Sequence, residues 1–441
     1  MTWLRLAVAN LVLSPLTSAV NVLLMALGTA SIVLLLLAGS QLSETMSRDA
    51  RGIDLVLGAT GSPVQLVLSA VYHADVPPGN IRLEEALRWA DDPRVRTAIP
   101  LSLGDSYRGY RIVGTTAEYA ELYEAGLATG RFWDGTLEAV AGSAVAQSAG
   151  LGVGSSFAGA HGLEEGGHSH ESAPYRIVGV LEPTGTVVDR LILTSLTSVW
   201  DLHAEETSHA HTAGSDHADD HDHDHDHDHD HDHDHDSNEA HKHDENHDHE
   251  AVAGQDQPDP DREITAMLIR YSSPMAAMTL SREVNAAGVL QAAAPAMEVS
   301  RILQLIGIGL DGLSAFSWVL ILTAALSVFA ALYGSLRARR GDLAILRCLG
   351  ATRWELLVAL LLEGLLLSVL GVTLGFLAGH GAMELLGAWL ENTRGVAMTG
   401  WTWLPAQTLL LLGLFGVGAV AAAIPAVQAY RTDVARTLAE G

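Results

Sequence analysis

The sequence predicts an α-helical membrane protein with four spanning helices (one, then three) and an α+β domain outside the bilayer between the first and second. Three observations carry this. Four apolar runs, 16–38, 313–336, 356–378 and 404–427, each reach or exceed the roughly 20 residues a helix needs to cross a bilayer. Arginines cluster in the segment 337–355 and recur at Arg5, Arg431 and Arg436, so the positive-inside rule puts both chain ends and that segment on the cytoplasmic side. The long stretch from Gln41 to Asp311 is then extracytoplasmic, and its short β-branched runs bounded by Gly and Pro read as strands alternating with helices.

Taken in order, residues 1–15 read as a cytoplasmic amphipathic helix and 16–38 as the first span. Its apolar core is longer than the roughly 7–15 residues of a signal peptide and is preceded by one arginine, so the span is expected to be retained. Within the 41–311 domain, Asp54–Ala59, Tyr175–Leu181, Leu191–Leu196 and Ile264–Tyr271 are predicted strands. Leu83–Val95 and Met275–Gly288 carry helical spacing, the second stopping at glycine. Residues 203–262 form an insertion with almost no apolar side chains, which cannot bury enough surface to offset ordering entropy and is expected to be disordered. Spans 313–336 and 356–378 flank the cytoplasmic loop 337–355. A short outer loop, 381–403, places Trp389, Trp401 and Trp403 at the membrane interface before the last span, 404–427, and the cytoplasmic tail, 428–441.

Several chemistries are excluded. The formal charge of −27 is uneven: residues 201–250 hold 19 acidic groups against one lysine, and no basic face remains for nucleic acid. Lys242 is the only lysine and lies in that stretch, so no phosphate-binding Gly-rich loop with its lysine exists, and the chain is not expected to act as an enzyme. The single cysteine, Cys348, rules out an internal disulfide framework. Gly307–Gly312 (GIGLDG) has dinucleotide-motif spacing but follows a helical pattern, so its glycines read as sites of close helix packing or bending. Gly104–Ser106 (GDS) reads as a turn. Glu363, about two turns into the third span, is the candidate intramembrane ionisable group, either held by a neighbouring helix or reaching towards Arg353. His380, at the outer end of that span, reads as an interfacial residue rather than a ligand.

The cytoplasmic segment RARRGDLAILRCLGATRWELLVALLLEG, residues 337–364, resembles the signature of the FtsX/MacB-like ABC transporter permeases: a basic stretch, an acidic residue, Ala344–Ala351, Arg353 and a glutamate in the following span. Asp342 stands where that family more often has Glu. The runs 6–28, 54–68, 177–200 and 424–441 resemble other parts of the same family, so the likeness omits little but the insertion. The resemblance implies a permease subunit with a MacB-like periplasmic domain in the bacterial cytoplasmic (inner) membrane. It would pair with a second copy or a related permease and dock a separate ABC ATPase, so that ATP enters only through that partner. Asp342, Leu343, Leu346, Arg347, Leu349, Gly350 and Arg353 would form the coupling site. The residues themselves allow an amphipathic helix with Leu343, Leu346 and Leu349 on one face, able to fill a partner's groove, or merely a solvated basic loop. Implied outcomes are export, release of a lipoprotein or other substrate, or cargo-free activation of a periplasmic or outer-membrane partner. A membrane-anchored metal-binding sensor is the alternative of another class.

The insertion contains eight consecutive His-Asp pairs, 221–236. In an extended chain the period of two puts histidines on one face and carboxylates on the other. Imidazole suits zinc and other divalent transition metals. The candidate ligands are His209, His211, His217, His221, His223, His225, His227, His229, His231, His233, His235, His241, His243, His247 and His249, expected to hold metal loosely and exchangeably. His161, His168 and His170 are secondary candidates. The spans hold no series of His, Asp or Glu to carry an ion across, so the tract reads as an accessory to the membrane machine: a metal sensor or buffer, a supplier of metal to a transport route or partner, or a tolerated low-complexity expansion with weak adventitious binding.

Overall fold

The computed structural model describes residues 2–162, 173–202, 262–338, 350, 352–394 and 396–431. Helix α1 (Thr2–Leu13) is followed at once by α2 (Pro15–Asp49), with Pro15 in the first helical turn, where the missing N–H costs nothing. Eleven further residues carry α2 past the predicted span as a stalk. The domain follows with strands β1 (Leu55–Gly58), β2 (Ile81–Arg82), β3 (Val95–Tyr107), β4 (Tyr110–Thr115), β5 (Leu127–Gly130) and β6 (Glu138–Ala141). Helices α3 (Pro63–Ala70), α4 (Leu83–Ala90), α5 (Glu118–Leu122) and α6 (Ser143–Ala149) are interspersed among them and after β6. Strands β7 (Ser156–Phe157), β8 (Ala160–His161), β9 (Tyr175–Leu181) and β10 (Leu191–Ser195) precede the insertion. Beyond it lie β11 (Glu263–Ile264), β12 (Ala266–Tyr271), α7 (Ala276–Ala287) and β13 (Gln291–Ala293).

The main sheet is mixed, in the order β13-β1-β12-β3-β4-β10-β6-β9-β5. Strand β12, from beyond the insertion, pairs antiparallel with both β1 and β3, so the chain on either side of residues 203–261 builds one sheet. Alternation sorts the side chains. Val56 and Leu268 face one core with Leu101 and Val113, while Leu55, Leu57, Met267 and Ile269 face the other with Leu280 and Val284. The insertion's two ends meet: Trp200 donates its indole N–H to the Glu263 carbonyl at 2.7 Å, and the Arg262 guanidinium lies 4.7 Å from the Trp200 ring centre.

After β13 a continuous helix α8 (Pro295–Ala338) runs from the domain through the second span, then α9 (Arg353–Arg394) and α10 (Pro405–Arg431) complete the bundle. Among the described residues four helices are long and apolar enough to cross a membrane, matching the predicted four. Two expectations are corrected. Gly104–Ser106 is not a turn but the end of β3, with Ser106 opposite Arg111; the turn falls at Arg108 and Gly109, whose φ values of +50° and +80° allow the tight reversal of a hairpin. The outer segment 381–403 is largely helical, because α9 continues to Arg394, leaving a short connection before α10. Smaller shifts are the end of α4 at Ala90 and the break at Thr265, whose hydroxyl accepts the Leu103 N–H at 2.9 Å.

Candidate functional site

The described residues converge on a junction where the stalk of α2, the base of the domain and the outer ends of α9 and α10 meet. Asp49, the last residue of α2, is 2% exposed. Its carboxylate accepts the Val187 N–H at 2.9 Å and lies 3.8 Å from the Arg190 guanidinium. Two tyrosines grip the helix end: Tyr123 donates to the Asp49 carbonyl and Tyr72 to the Met46 carbonyl, both at 2.9 Å. Burial pushes both phenols up, so they remain neutral donors. Arg48 adds a bond to the Gly185 carbonyl at 3.0 Å. The stalk therefore ends inside the domain's core rather than against its surface.

A second layer lies nearer the membrane. Gln41 of the stalk exchanges two hydrogen bonds with the backbone of Thr399, at 2.7 and 2.9 Å. Glu384 of α9 accepts from the Gly400 N–H at 2.7 Å and from the Thr399 hydroxyl at 3.0 Å. His380 bonds the Gly400 carbonyl through Nδ1 and meets Gln407 of α10 through Nε2 at 3.3 Å. His380 is thus a structural tie inside the protein. Between the two layers lies a cleft of about 660 Å³ walled by Arg48, Asp49 and Arg190 on the domain side and Glu391 on α9.

Below the junction α9 packs on α2 along Gly371, Gly375 and Gly379. A Cβ at Gly371 would sit 2.7 Å from that of Met25; at Gly375, 2.7 Å from that of Thr29; at Gly379, 2.9 Å from that of Val33. This four-residue glycine repeat lets two spanning helices approach backbone to backbone. At its N-terminus, α9 opens with a capping box: the Thr352 hydroxyl accepts the Glu355 N–H at 3.3 Å and Glu355 accepts the Thr352 N–H at 2.8 Å. Gly350 has φ +107°, a left-handed conformation that favours glycine. Arg353 begins α9, while Asp342, Leu343, Leu346, Arg347 and Leu349 lie outside the described residues. Glu363 is 5% exposed, within the helix packing.

Of the predicted metal ligands, the histidines from His209 to His249, with His168 and His170, lie outside the described residues, and His161 is placed only as backbone in β8. Among the described residues no group of three or more His, Cys, Asp or Glu is placed to hold a metal. A separate polar cluster lies within the domain. His73, with φ +52°, is buried and shares a 2.9 Å hydrogen bond with the Tyr119 hydroxyl; Arg111, also buried, donates to the Asp75 carbonyl at 2.9 Å. Burial, then Arg111 and Arg190, hold the imidazole well below its ordinary titration range.

A four-helix membrane bundle with one extramembranous α/β domain, joined through stalk extensions of its first two spans, has the layout of a permease subunit. Residues 18–217 match the MacB-like periplasmic core domain, and residues 314–434 match the FtsX-like permease C-terminal model, which takes in Glu363, part of α8, and all of α9 and α10. The chain belongs to the FtsX/MacB-like permease family. Among solved structures it is similar to the periplasmic region of MacB from Actinobacillus actinomycetemcomitans, at 10% identity and a TM-score of 0.31 over 57% of this chain and 95% of that one. It is also similar to the extracellular domain of the noncanonic ABC-type transporter YknZ from Gram-positive bacteria, at 10% identity and a TM-score of 0.27 over 54% and 98%. No match was found among curated proteins.

Proposed function

We propose that this chain is the membrane subunit of an ABC transporter in a bacterial cytoplasmic membrane. It converts ATP hydrolysis by a separate ATPase into motion of its periplasmic domain, for export or for release of a lipoprotein or other substrate. The observation that carries this is the uninterrupted path from loop to domain. Helix α9 starts at Arg353, beside the proposed coupling loop, and runs as one rod to Arg394. Its glycine repeat is keyed into α2, and α2 ends at Asp49 inside the domain. A displacement of the cytoplasmic end of α9 thus has a packed route to the domain without crossing a loop.

The ATPase-facing side of the reading is tested by charge reversal. With the ATPase co-expressed, the substitution Arg347→Glu together with Asp342→Arg is expected to abolish co-purification and permease-stimulated ATP turnover, while membrane insertion and the domain's melting are unchanged. Full stimulation by the doubly substituted chain would remove the loop from the coupling role. The His-rich insertion supports a further reading, a link to zinc or another transition metal, on the composition of residues 203–249. The subunit would act as a homodimer or beside a paired permease, in contact with membrane lipids and with a periplasmic or outer-membrane partner.

A further inference from the structure

Gly307, Gly309 and Gly312 of α8 were expected to serve close packing or bending. Close packing is not their role, since a Cβ built at any of the three meets nothing within 4 Å. The glycines of α9 described above are all tightly abutted. Gly307 instead lines a groove of about 470 Å³ between α2, α8 and the start of α10. Its walls include Leu35, Leu36 and Ser40 of α2 and Asp311 of α8, with Leu404 at the start of the last span. Gly39 and Leu310 also line it, and a Cβ at Gly39 would lie 3.2 Å from Leu310, so α2 and α8 approach closely there.

The groove's depth follows from its neighbours. Trp401, 87% exposed, and Trp403 flank Leu404, and such aromatic rings sit at the headgroup level of a bilayer. From there the groove descends along α2 towards Leu35 and Leu36, in the outer-leaflet half of the span. Asp311 lines it one turn deeper along α8 than Gly307 at the mouth, and makes no hydrogen bond or ion pair among the described residues. Exposed and unpaired near the membrane surface, this carboxylate attracts a cation. The occupant must therefore be thin and apolar below and cationic above.

We propose that this groove holds one acyl chain of an outer-leaflet phospholipid bearing a primary amine, its ammonium paired with Asp311, and that Gly307 keeps the groove open. The proposal does not depend on which ATPase drives the subunit.

The test uses the full-length chain reconstituted with phosphatidylethanolamine and phosphatidylglycerol of identical acyl chains, then stripped in detergent while retained lipid is counted by native mass spectrometry. The wild-type chain is expected to keep one phosphatidylethanolamine per protomer, preferred about tenfold over phosphatidylglycerol, which corresponds to about 1.4 kcal/mol. Gly307→Leu, at a position with open space for its side chain, should cut that retention about tenfold with monodispersity and melting unchanged. Asp311→Asn should keep a lipid but erase the headgroup preference. Equal retention of both lipids by the wild type, or unchanged retention by Gly307→Leu, overturns the proposal. So does efficient disulfide cross-linking of two chains through Ser314→Cys, which would show a second copy seated on the groove.

Discussion

Replacing His73 by asparagine should remove an acid-sensitive term from the stability of the extracytoplasmic domain. The ring is buried, its Nε2 engaged with Tyr119, and its Nδ1 has no partner among the described residues. Protonation would place an N–H at Nδ1 with nothing to accept it, in the field of Arg111 and Arg190. The folded state therefore keeps the imidazole neutral, while the unfolded chain takes up a proton below about pH 6.5. A histidine with a depressed folded pKa contributes stability at high pH that is lost as pH falls, because the unfolded state binds the extra proton. For each pH unit below 6.5 over which the buried ring stays neutral, the loss is about 1.4 kcal/mol, so roughly 2 kcal/mol by pH 5. Asparagine cannot titrate there and tolerates the left-handed backbone of position 73, where φ is +52°.

The assay is urea-dependent pulse proteolysis of the full chain in nanodiscs between pH 5 and 7.5, for the wild type and His73→Asn. The variant loses the Tyr119 bond and should be less stable at pH 7.5. Its deficit should then shrink by about 1.4 kcal/mol per pH unit on acidification below 6.5, every other group titrating alike in both proteins. Parallel stability curves for the two proteins would refute the reasoning: either the ring protonates within the fold, or it is accessible before unfolding.

Two further outcomes follow from geometry. Gly375→Ala should destabilise the detergent-solubilised chain by about 1–3 kcal/mol, because the new Cβ overlaps the Ala26 carbonyl and crowds Thr29, whereas Gly309→Ala, with open space around it, should stabilise by about 0.5–1 kcal/mol in the same thermal-melt assay. Deleting residues 203–249 should leave the domain's melting unchanged, since Trp200 and Arg262 already meet at the insertion's base, and should abolish most calorimetric zinc binding at pH 7.5, the wild-type binding itself weakening as pH falls through about 6.5; zinc affinity that survives the deletion would move the ligands elsewhere.

The spans were legible because bilayer thickness imposes a length of apolar sequence that few other structures demand. Strands such as Tyr175–Leu181 were legible for a similar reason, β-branched residues between turn formers. The errors have specific causes. Three tryptophans in 381–403 drew attention to the interface and away from MELLGAWLEN, residues 383–392, a run of good helix formers that simply continues α9. The small polar residues of GDS imitate a turn, yet the pair able to reverse the chain is Arg108-Gly109, two residues on. The repeat Gly371-xxx-Gly375-xxx-Gly379 and the capping box from Thr352 to Glu355 both have signatures in the sequence, small residues at four-residue spacing and Thr followed three residues later by Glu. No local pattern could announce the Gln41–Thr399 exchange, because its partners are 358 residues apart and meet only once four helices have assembled. Likewise Asp49 carries no motif; its role comes from where α2 happens to end.

The glycines divide the bundle mechanically. In a helix, glycine in place of alanine costs about 0.5–1 kcal/mol. Along α9 that cost is offset by backbone contact with α2, and the tie between Gln41 and Thr399 closes the same pair of helices at their outer ends. Helices α2 and α9 are therefore packed together along their length and tied at their outer ends. Helix α8 is held to α2 at Gly28, where a Cβ would lie 2.7 Å from Ile321, and again at Gly39 against Leu310. Between and beyond those contacts it contains three glycines within six residues that gain no packing in exchange. This stretch is the locally weakest part of a 44-residue helix and lies where that helix leaves the bilayer for the domain. Since both α2 and α8 enter the domain, any tilt of the domain relative to the α2–α9 pair has to bend α8, and the unpacked glycines are where the bending is least costly.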